Sequence, residues 1–214
     1  MVDRSDVGGS PRRDPGQGEA GRAPCPDGWI ADRSGGFGGG NGRDTDRSCA
    51  VPNGASAVRR VHFHDGAAPV AAVVAPSVFV VARDVRRRLL LVRRSDSGAW
   101  ELPGGRVEVG ESVLDAAVRE TVEESGVLVR ITGVVGLFTD PAHVVVSASG
   151  REVRQQFVVC LHARVVRGTP VPDGQETIDA AWFDPADVAE LPVELGASRW
   201  ITSALSGAPE PHLD

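Results

Sequence analysis

The chain has 214 residues, with 23 arginines, 29 acidic residues and neither lysine nor tyrosine, so its formal net charge is −6. This acidic balance excludes a polybasic nucleic-acid-binding arm, and the chain has no run of about twenty apolar residues that could span a membrane. The N-terminal residues also lack an apolar run of signal-peptide length. We therefore expect a cytoplasmic protein that has neither a nucleic-acid polymer nor a membrane as its partner.

Residues 1–68 differ in composition from the rest of the chain. They hold 14 of the 26 glycines, together with scattered prolines, serines and charges, and they show no apolar period. Their nine arginines balance nine acidic residues, so the net charge belongs to the remainder. A segment of this composition buries too little apolar surface to fold. It predicts a disordered tail at 1–68, followed by one folded domain at 69–214.

Valine-rich runs alternate with turn residues from position 73 onwards, which is typical of an α/β domain. The runs at 73–82 and 89–92 flank a charged turn and predict a β-hairpin. Four later runs predict strands at 127–138, 144–147, 156–166 and 177–183. Two short closing helices are predicted, one at 185–191 with Asp184 as its N-cap and one at 197–205.

A longer helix is predicted between these strands, at about 112–125. Ser112 is a suitable N-cap, Asp115 follows three residues later, and Gly126 stands where a left-handed residue would end the helix. At about 100° per residue, three glutamates share one arc of the helix surface. They are Glu120, Glu123 and Glu124. The opposite side, which should join the core, carries Leu114, Ala117, Val118 and Thr121.

The three clustered glutamates need an explanation beyond helix stability. Like charges at i and i+4 repel, and carboxylates near the end of a helix oppose its dipole, each effect costing on the order of 0.3 kcal/mol. A hard divalent cation would reverse this cost, because Mg²⁺ binds carboxylates and completes its shell with water and substrate phosphates. The pattern therefore predicts a metal site on this face of the helix.

A glycine turn precedes the helix, in the run Leu102-Pro103-Gly104-Gly105. Glycine lets a backbone approach its neighbours closely, so a carbonyl of this turn could join the ligands of the same ion. The turn and the helix are then expected to share one metal site.

The spacing G-x5-E-x7-R-E-x-x-E-E-x-G, which begins at Gly105 and ends at Gly126, resembles the signature of the Nudix hydrolases. Every defining position is filled, and Val127 follows. The resemblance implies an α/β/α sandwich built on a mixed β-sheet. It also implies that Glu120 and Glu124 bind Mg²⁺ or Mn²⁺, with help from Glu123 and from the carbonyl of Gly104.

The resemblance also implies roles for residues around the metal. Arg119 is expected to orient the acidic cluster, and Glu111 to pair with Arg119. The implied reaction is hydrolysis of a nucleoside diphosphate linked to another group, in which a carboxylate accepts a proton from the attacking water. Two candidates for this base stay open. One is Glu123, and the other is Glu176, which follows the turn at 173–175 and could equally be an exposed turn acid or an extra metal ligand.

The sequence leaves the substrate open among nucleoside triphosphates, ADP-ribose and nucleotide sugars. Arg93 and Arg106 are candidates for contact with it. A non-catalytic nucleotide-sensing module is the alternative function, but such modules usually lose acidic residues of the signature and this chain keeps them all. The partner is expected to be a small nucleotide, and a homodimer stays open.

Overall fold

Ten strands of one mixed sheet, two α-helices and a short 3-10 helix form the part of the chain that the computed structural model describes, residues 58–214. The elements, in chain order, are β1 (Arg60–Phe63), β2 (Val73–Arg83), β3 (Leu89–Arg94), β4 (Trp100–Glu101), β5 (Gly104–Arg106), α1 (Val113–Ser125), β6 (Leu128–Phe138), β7 (His143–Val146), β8 (Val153–Arg167), β9 (Thr177–Phe183), the 3-10 helix Asp187–Glu190, α2 (Ala197–Leu205) and β10 (His212–Leu213). None of the helices in this range has the length and apolar character needed to cross a membrane.

The parallel pair β2 and β8 runs through the middle of the sheet, in register from Val73↔Arg154 to Arg83↔Arg164. Antiparallel neighbours extend it on both sides: β6 and β7 pair with β8, while β5 pairs with β2 and β9 pairs with β3. A central strand covered on both faces is expected to be apolar at successive positions, which explains the apolar run at 78–82 in β2.

The two faces of the sheet bury two separate cores. On one face Val78 and Val80 pack in a cluster with Ala116 and Ala117 of α1. On the other face Phe79 packs with Trp200 and Ile201 of α2, with ring centroids 4.3 Å apart between Phe79 and Trp200. Because successive residues of β2 point to opposite faces, one strand supplies both cores. This is the α/β/α arrangement with a mixed sheet that the sequence predicts.

The predicted ends of α1 are confirmed. Ser112 and Asp115 form a capping box, and Gly126 ends the helix with φ of 67°. The predicted core face is partly wrong, because Leu114 is 55% exposed. The buried arc is instead centred on alanines and on Thr121, whose hydroxyl donates to a carbonyl one turn earlier, and it takes in Glu124, which is only 3% exposed.

Two other predicted elements need correction. The hairpin forms, but β2 and β3 share only the pair Arg83↔Leu89 before they diverge. The helix predicted at 185–191 is wrong in type and cap: a single 3-10 turn, Asp187–Glu190, begins after Ala186 without a side-chain cap, so Asp184 is not its N-cap. Leu191, the residue after this turn, precedes Pro192 and has extended backbone. A residue before proline disfavours helical geometry, so the segment stays short.

The predicted tail extends too far into the domain. Residues 1–57 lie outside the described residues, but Arg60–Phe63 form β1, which pairs antiparallel with β7 from Arg60↔Val146 to Phe63↔His143. The tail prediction to residue 68 is therefore wrong for this strand. Its partner lies about 80 residues further along the chain, and four residues flanked by Arg59 and His64 carry no recognisable strand period by themselves.

Candidate active site

A cavity of about 360 Å³ lies between α1, the glycine turn and the strands β2 and β8. Seven of the residues predicted from sequence line it: Gly104, Gly105, Arg106, Arg119, Glu120, Glu123 and Glu176. Glu124 is not part of this lining. A larger cavity of about 620 Å³ lies further along β2 and β8 and contains none of the predicted site residues.

The glycine turn fits against both β2 and α1 because Gly104 and Gly105 have no side chains. A Cβ on Gly104 would lie 2.2 Å from the carbonyl oxygen of Val78, and one on Gly105 would lie 2.5 Å from Oε1 of Glu120. Position 104 therefore requires glycine, because its Cβ would meet backbone atoms, whereas a Cβ at position 105 would displace the flexible carboxylate of Glu120. The backbone N–H of Gly104 then donates to Oε2 of Glu124 over 2.8 Å. The turn and the acidic helix are thus joined directly.

Glu124 and Glu120 lie in surroundings that disfavour their charge. Burial raises the pKa of Glu124 well above its ordinary value, the nearby charge of Glu101 adds to the rise, and the N–H of Gly104 and Arg94 only partly oppose it. Burial also raises the pKa of Glu120, against the lowering effect of Arg119. A carboxyl group whose pKa is raised by burial has lost the hydration that stabilises its negative charge, and nearby positive charge can replace that stabilisation. A divalent cation supplies that charge, so the donor set fits the predicted metal.

Arg119 holds the acidic cluster from one side. Its guanidinium donates to both carboxylate oxygens of Glu111, over 2.6 and 3.1 Å, and lies 2.9 Å from Glu120 and 3.0 Å from Glu123. The pairing with Glu111, followed by Glu120, raises the pKa of Arg119 and keeps it charged. The structure thus contains the Arg119–Glu111 pair that the resemblance implies.

The three glutamates of α1 are held by separate hydrogen-bonding partners and do not converge on one point. Within residues 58–214, no three acidic, histidine or cysteine side chains already converge on one point as in a closed metal site. Arg119 forms ion pairs with Glu120 and Glu123, and the backbone N–H of Gly104 donates a hydrogen bond to Glu124. Such an open arrangement is compatible with Mg²⁺, which keeps several waters and is usually bound by one or two carboxylates together with substrate phosphates.

The loop that carries Glu176 is tied to α1 by hydrogen bonds. The Asp173 carboxylate accepts from the N–H groups of Gln175, Glu176 and Thr177, and Thr177 Oγ1 lies 2.9 Å from the carbonyl oxygen of Glu124. This loop brings Glu176 to the cavity that Glu120 and Glu123 also line. Glu176 is therefore an exposed turn acid that lies at the site, and both candidate bases reach it.

Sequence reasoning missed an ion-pair network at the edge of the cavity. Glu101, 3% exposed, lies 3.9 Å from Arg94 and 3.5 Å from Arg59. Arg59 also pairs with Asp96 and Glu194, at 3.3 and 3.0 Å. Glu101 is a lone acid within the apolar run before the glycine turn, and this position indicates a buried, paired carboxylate. Nothing local marked Arg59, which lies in the segment predicted to be disordered.

Only one of the two arginines suggested as substrate contacts lies at the cavity. Arg106 lines the cavity beside Gly105. Arg93 does not line it, and its Nε donates to the carbonyl of Gly98 over 2.9 Å, which closes the turn between β3 and β4. Two residues of β8, Arg154 and Gln156, take part in the lining instead.

Comparison with known proteins agrees with this geometry. A family model described as the NUDIX domain matches residues 73–203. A Bacillus subtilis protein with the provisional name 8-oxo-dGTP diphosphatase is 33% identical over 107 residues, which are 50% of this chain and 64% of that protein. An ADP-ribose pyrophosphatase of Methanocaldococcus jannaschii is 29% identical over 107 residues, which are 49% of this chain and 59% of that protein. The chain thus spans less than two thirds of the length of both relatives.

A solved structure supports the fold. The NUDIX hydrolase from Nitrosomonas europaea superposes with a TM-score of 0.51 at 22% identity, covering 64% of this chain and 93% of that chain. Identity at this level shows the fold alone. The family model covers more than half of the chain, and the glycine turn and acidic helix that it contains meet in one cavity. The chain therefore belongs to the Nudix hydrolase superfamily.

Proposed function

We propose that the chain is a pyrophosphohydrolase, dependent on Mg²⁺ or Mn²⁺, that cleaves a nucleoside diphosphate linked to another moiety. The observation that carries the proposal is the junction of turn and helix, where Gly104 donates to Glu124 and Gly105 leaves room for the carboxylate of Glu120. This junction puts the carboxylate of Glu120 in the cavity wall and the buried carboxylate of Glu124 against Gly104, which also lines the cavity, and burial raises the pKa of both acids.

In the proposed site Glu120 and Glu124 hold the ion, assisted by Glu123 and by the carbonyl of Gly104. When bound, the ion neutralises diphosphate charge and lowers the pKa of a water molecule. Arg119 keeps Glu120 and Glu123 near each other through hydrogen bonds and is itself fixed by Glu111. Arg119 thus positions the acids instead of reacting.

The proton of the attacking water needs a carboxylate acceptor. Glu123 and Glu176 both line the cavity and are the two candidates for this general base. The water oxygen forms a bond to one phosphorus, the bridging P–O bond of the diphosphate breaks, and the acceptor carboxylate takes the proton. A nucleotide or a phosphate compound leaves with the bridging oxygen.

The substrate is proposed as a class. The two relatives differ in what their names say they act on, 8-oxo-dGTP in one case and ADP-ribose in the other. Both compounds contain a nucleoside diphosphate bonded to a further group. Arg106 and Arg154 in the lining add positive charge suited to such an anion. We expect this activity to be cytoplasmic, as the sequence predicts.

A screen of nucleotides with the full chain tests the proposal. Nucleoside triphosphates, ADP-ribose and nucleotide sugars are each incubated with Mg²⁺ or with EDTA, and released phosphate or nucleotide is measured. We expect turnover of at least one member of the class and its loss in EDTA. Nucleotide binding without turnover of any compound would favour the sensing module, and turnover that survives removal of the metal would refute the metal-dependent reaction.

A further inference from the structure

Arg59 enters the site from outside the residues that the family model matches. That match begins at residue 73, whereas Arg59 directly precedes β1, which pairs with β7 at the edge of the sheet. The Arg59 side chain nevertheless reaches the lining of the cavity that contains Gly104 and Glu120. A segment that precedes the family domain thus contributes a charged group to the candidate active site.

The guanidinium of Arg59 is anchored on one side. Nε lies 3.3 Å from Asp96, and Nη2 lies 3.0 Å from Glu194 and 3.5 Å from Glu101. These three acids contact Nε and Nη2 and so fix that side of the guanidinium. An arginine fixed in this way loses little freedom when it binds a ligand.

The remaining nitrogen of Arg59, Nη1, makes no hydrogen bond to any residue in the range 58–214. The arginine side chain as a whole is only 14% exposed, and it lines the cavity. A charged donor held at a cavity wall suits an anionic ligand atom.

Two more arginines share this wall. Arg106 and Arg154 both contact Glu152, and Nε of Arg154 is buried without a hydrogen-bond partner. Burial lowers the pKa of Arg154, and the charges of Arg106 and Arg59 lower it further. Arg106 and Arg154 share Glu152, so this pair of arginines carries one positive charge more than the acid between them. The negative charge of a phosphate group would reduce this repulsion.

We propose that Arg59 is a substrate-binding residue that donates from Nη1 to a phosphate oxygen of the nucleotide, so that a residue outside the range of the family match completes the site. This inference rests on the proposed function, because it assumes a phosphate-bearing substrate in this cavity. It assigns to the segment that includes β1 a role in substrate affinity in addition to its pairing with β7.

Kinetics of three variants of the full chain test this role, with the substrate found in the nucleotide screen. They are Arg59→Ala, Arg59→Lys and, as the matched control, Arg60→Ala, which removes the exposed neighbouring arginine. A charge-assisted hydrogen bond to phosphate is worth about tenfold or more in affinity. We expect Arg59→Ala to raise KM by at least this factor with a much smaller change in kcat, Arg59→Lys to recover part of the loss, and Arg60→Ala to match wild type.

A purely structural role gives a different pattern. If Arg59 only neutralises its three carboxylates, Arg59→Ala lowers the unfolding temperature and leaves the KM of the folded fraction unchanged, and that result would overturn the proposal. If Arg59→Ala does not fold, the KM of Arg59→Lys is compared with that of Arg60→Ala. A higher KM for Arg59→Lys supports the proposal, and equal KM values overturn it. Absence of turnover in wild type would be a failure of the proposed function and is seen before any variant is made.

Discussion

Replacing Glu124 with glutamine should lower kcat/KM at least about 100-fold, the scale expected when a metal-binding or catalytic group is lost. Glutamine has nearly the same shape, and its amide oxygen can still accept the hydrogen bond from the N–H of Gly104, which spans 2.8 Å in the wild type. The variant removes a negative charge that burial already disfavours. The fold should therefore survive, and thermal unfolding in the presence of EDTA should show this.

The matched control is Glu190→Gln, which makes the same chemical change at an exposed position of the 3-10 helix. Its kcat/KM should equal that of the wild type. Equal rates for Glu124→Gln and wild type would remove Glu124 from the site. A large loss in both variants would mean that the assay responds to overall charge and not to the metal site.

Placing alanine at position 105 should be the second most damaging small change in the site. The new Cβ would lie 2.5 Å from Oε1 and 2.7 Å from Cδ of Glu120, so this carboxylate has to move away from the turn. Because the displaced atoms are the far end of a flexible side chain, the effect on folding should be small. Moving a metal ligand or its support typically costs about 10- to 100-fold in affinity or activity, and we expect kcat/KM to fall by that amount.

Gly133→Ala is the control for this change. Gly133 has no atom within 4 Å of the position that a Cβ would take, and it lies in β6 away from the cavity. Activity and unfolding temperature should both stay near those of the wild type. If Gly105→Ala kept full activity at limiting Mg²⁺, the close packing of Glu120 on the turn would have no part in metal binding.

The part of the site that could be predicted from sequence is the part that local signals encode. A capping box at Ser112, a left-handed glycine at Gly126 and fixed spacing along one helix determine where the glutamates of α1 project. The glycine pair before the helix marks a close backbone approach, and the structure shows what it approaches: the carbonyl of Val78 and the carboxylate of Glu120. Neither partner could be identified from the turn alone.

The remainder of the site depends on contacts between distant parts of the chain. Arg59 meets Glu194 across 135 positions, and Arg154 reaches the cavity only because β8 lies beside β2 in a specific parallel register. Pairing of short strands carries little sequence signal, which is why composition places residues 60–63 in the predicted tail although they form β1. The exposure of Leu114, which the helical pattern predicts to be buried, has a related cause. A helical period fixes which residues share a face, but the neighbouring sheet decides which part of that face is buried.

Direct titration with Mn²⁺, followed by electron paramagnetic resonance of the free ion, tests the central claim that the acidic face of α1 holds a divalent cation. Wild type should bind Mn²⁺, and Mg²⁺ should compete for the same site. Glu120→Gln should weaken the affinity at least about tenfold, as expected for loss of one ligand, while Glu190→Gln should leave it unchanged. Equal Mn²⁺ affinity in wild type and Glu120→Gln would contradict the account, because the carboxylate packed against Gly105 would then not be a ligand.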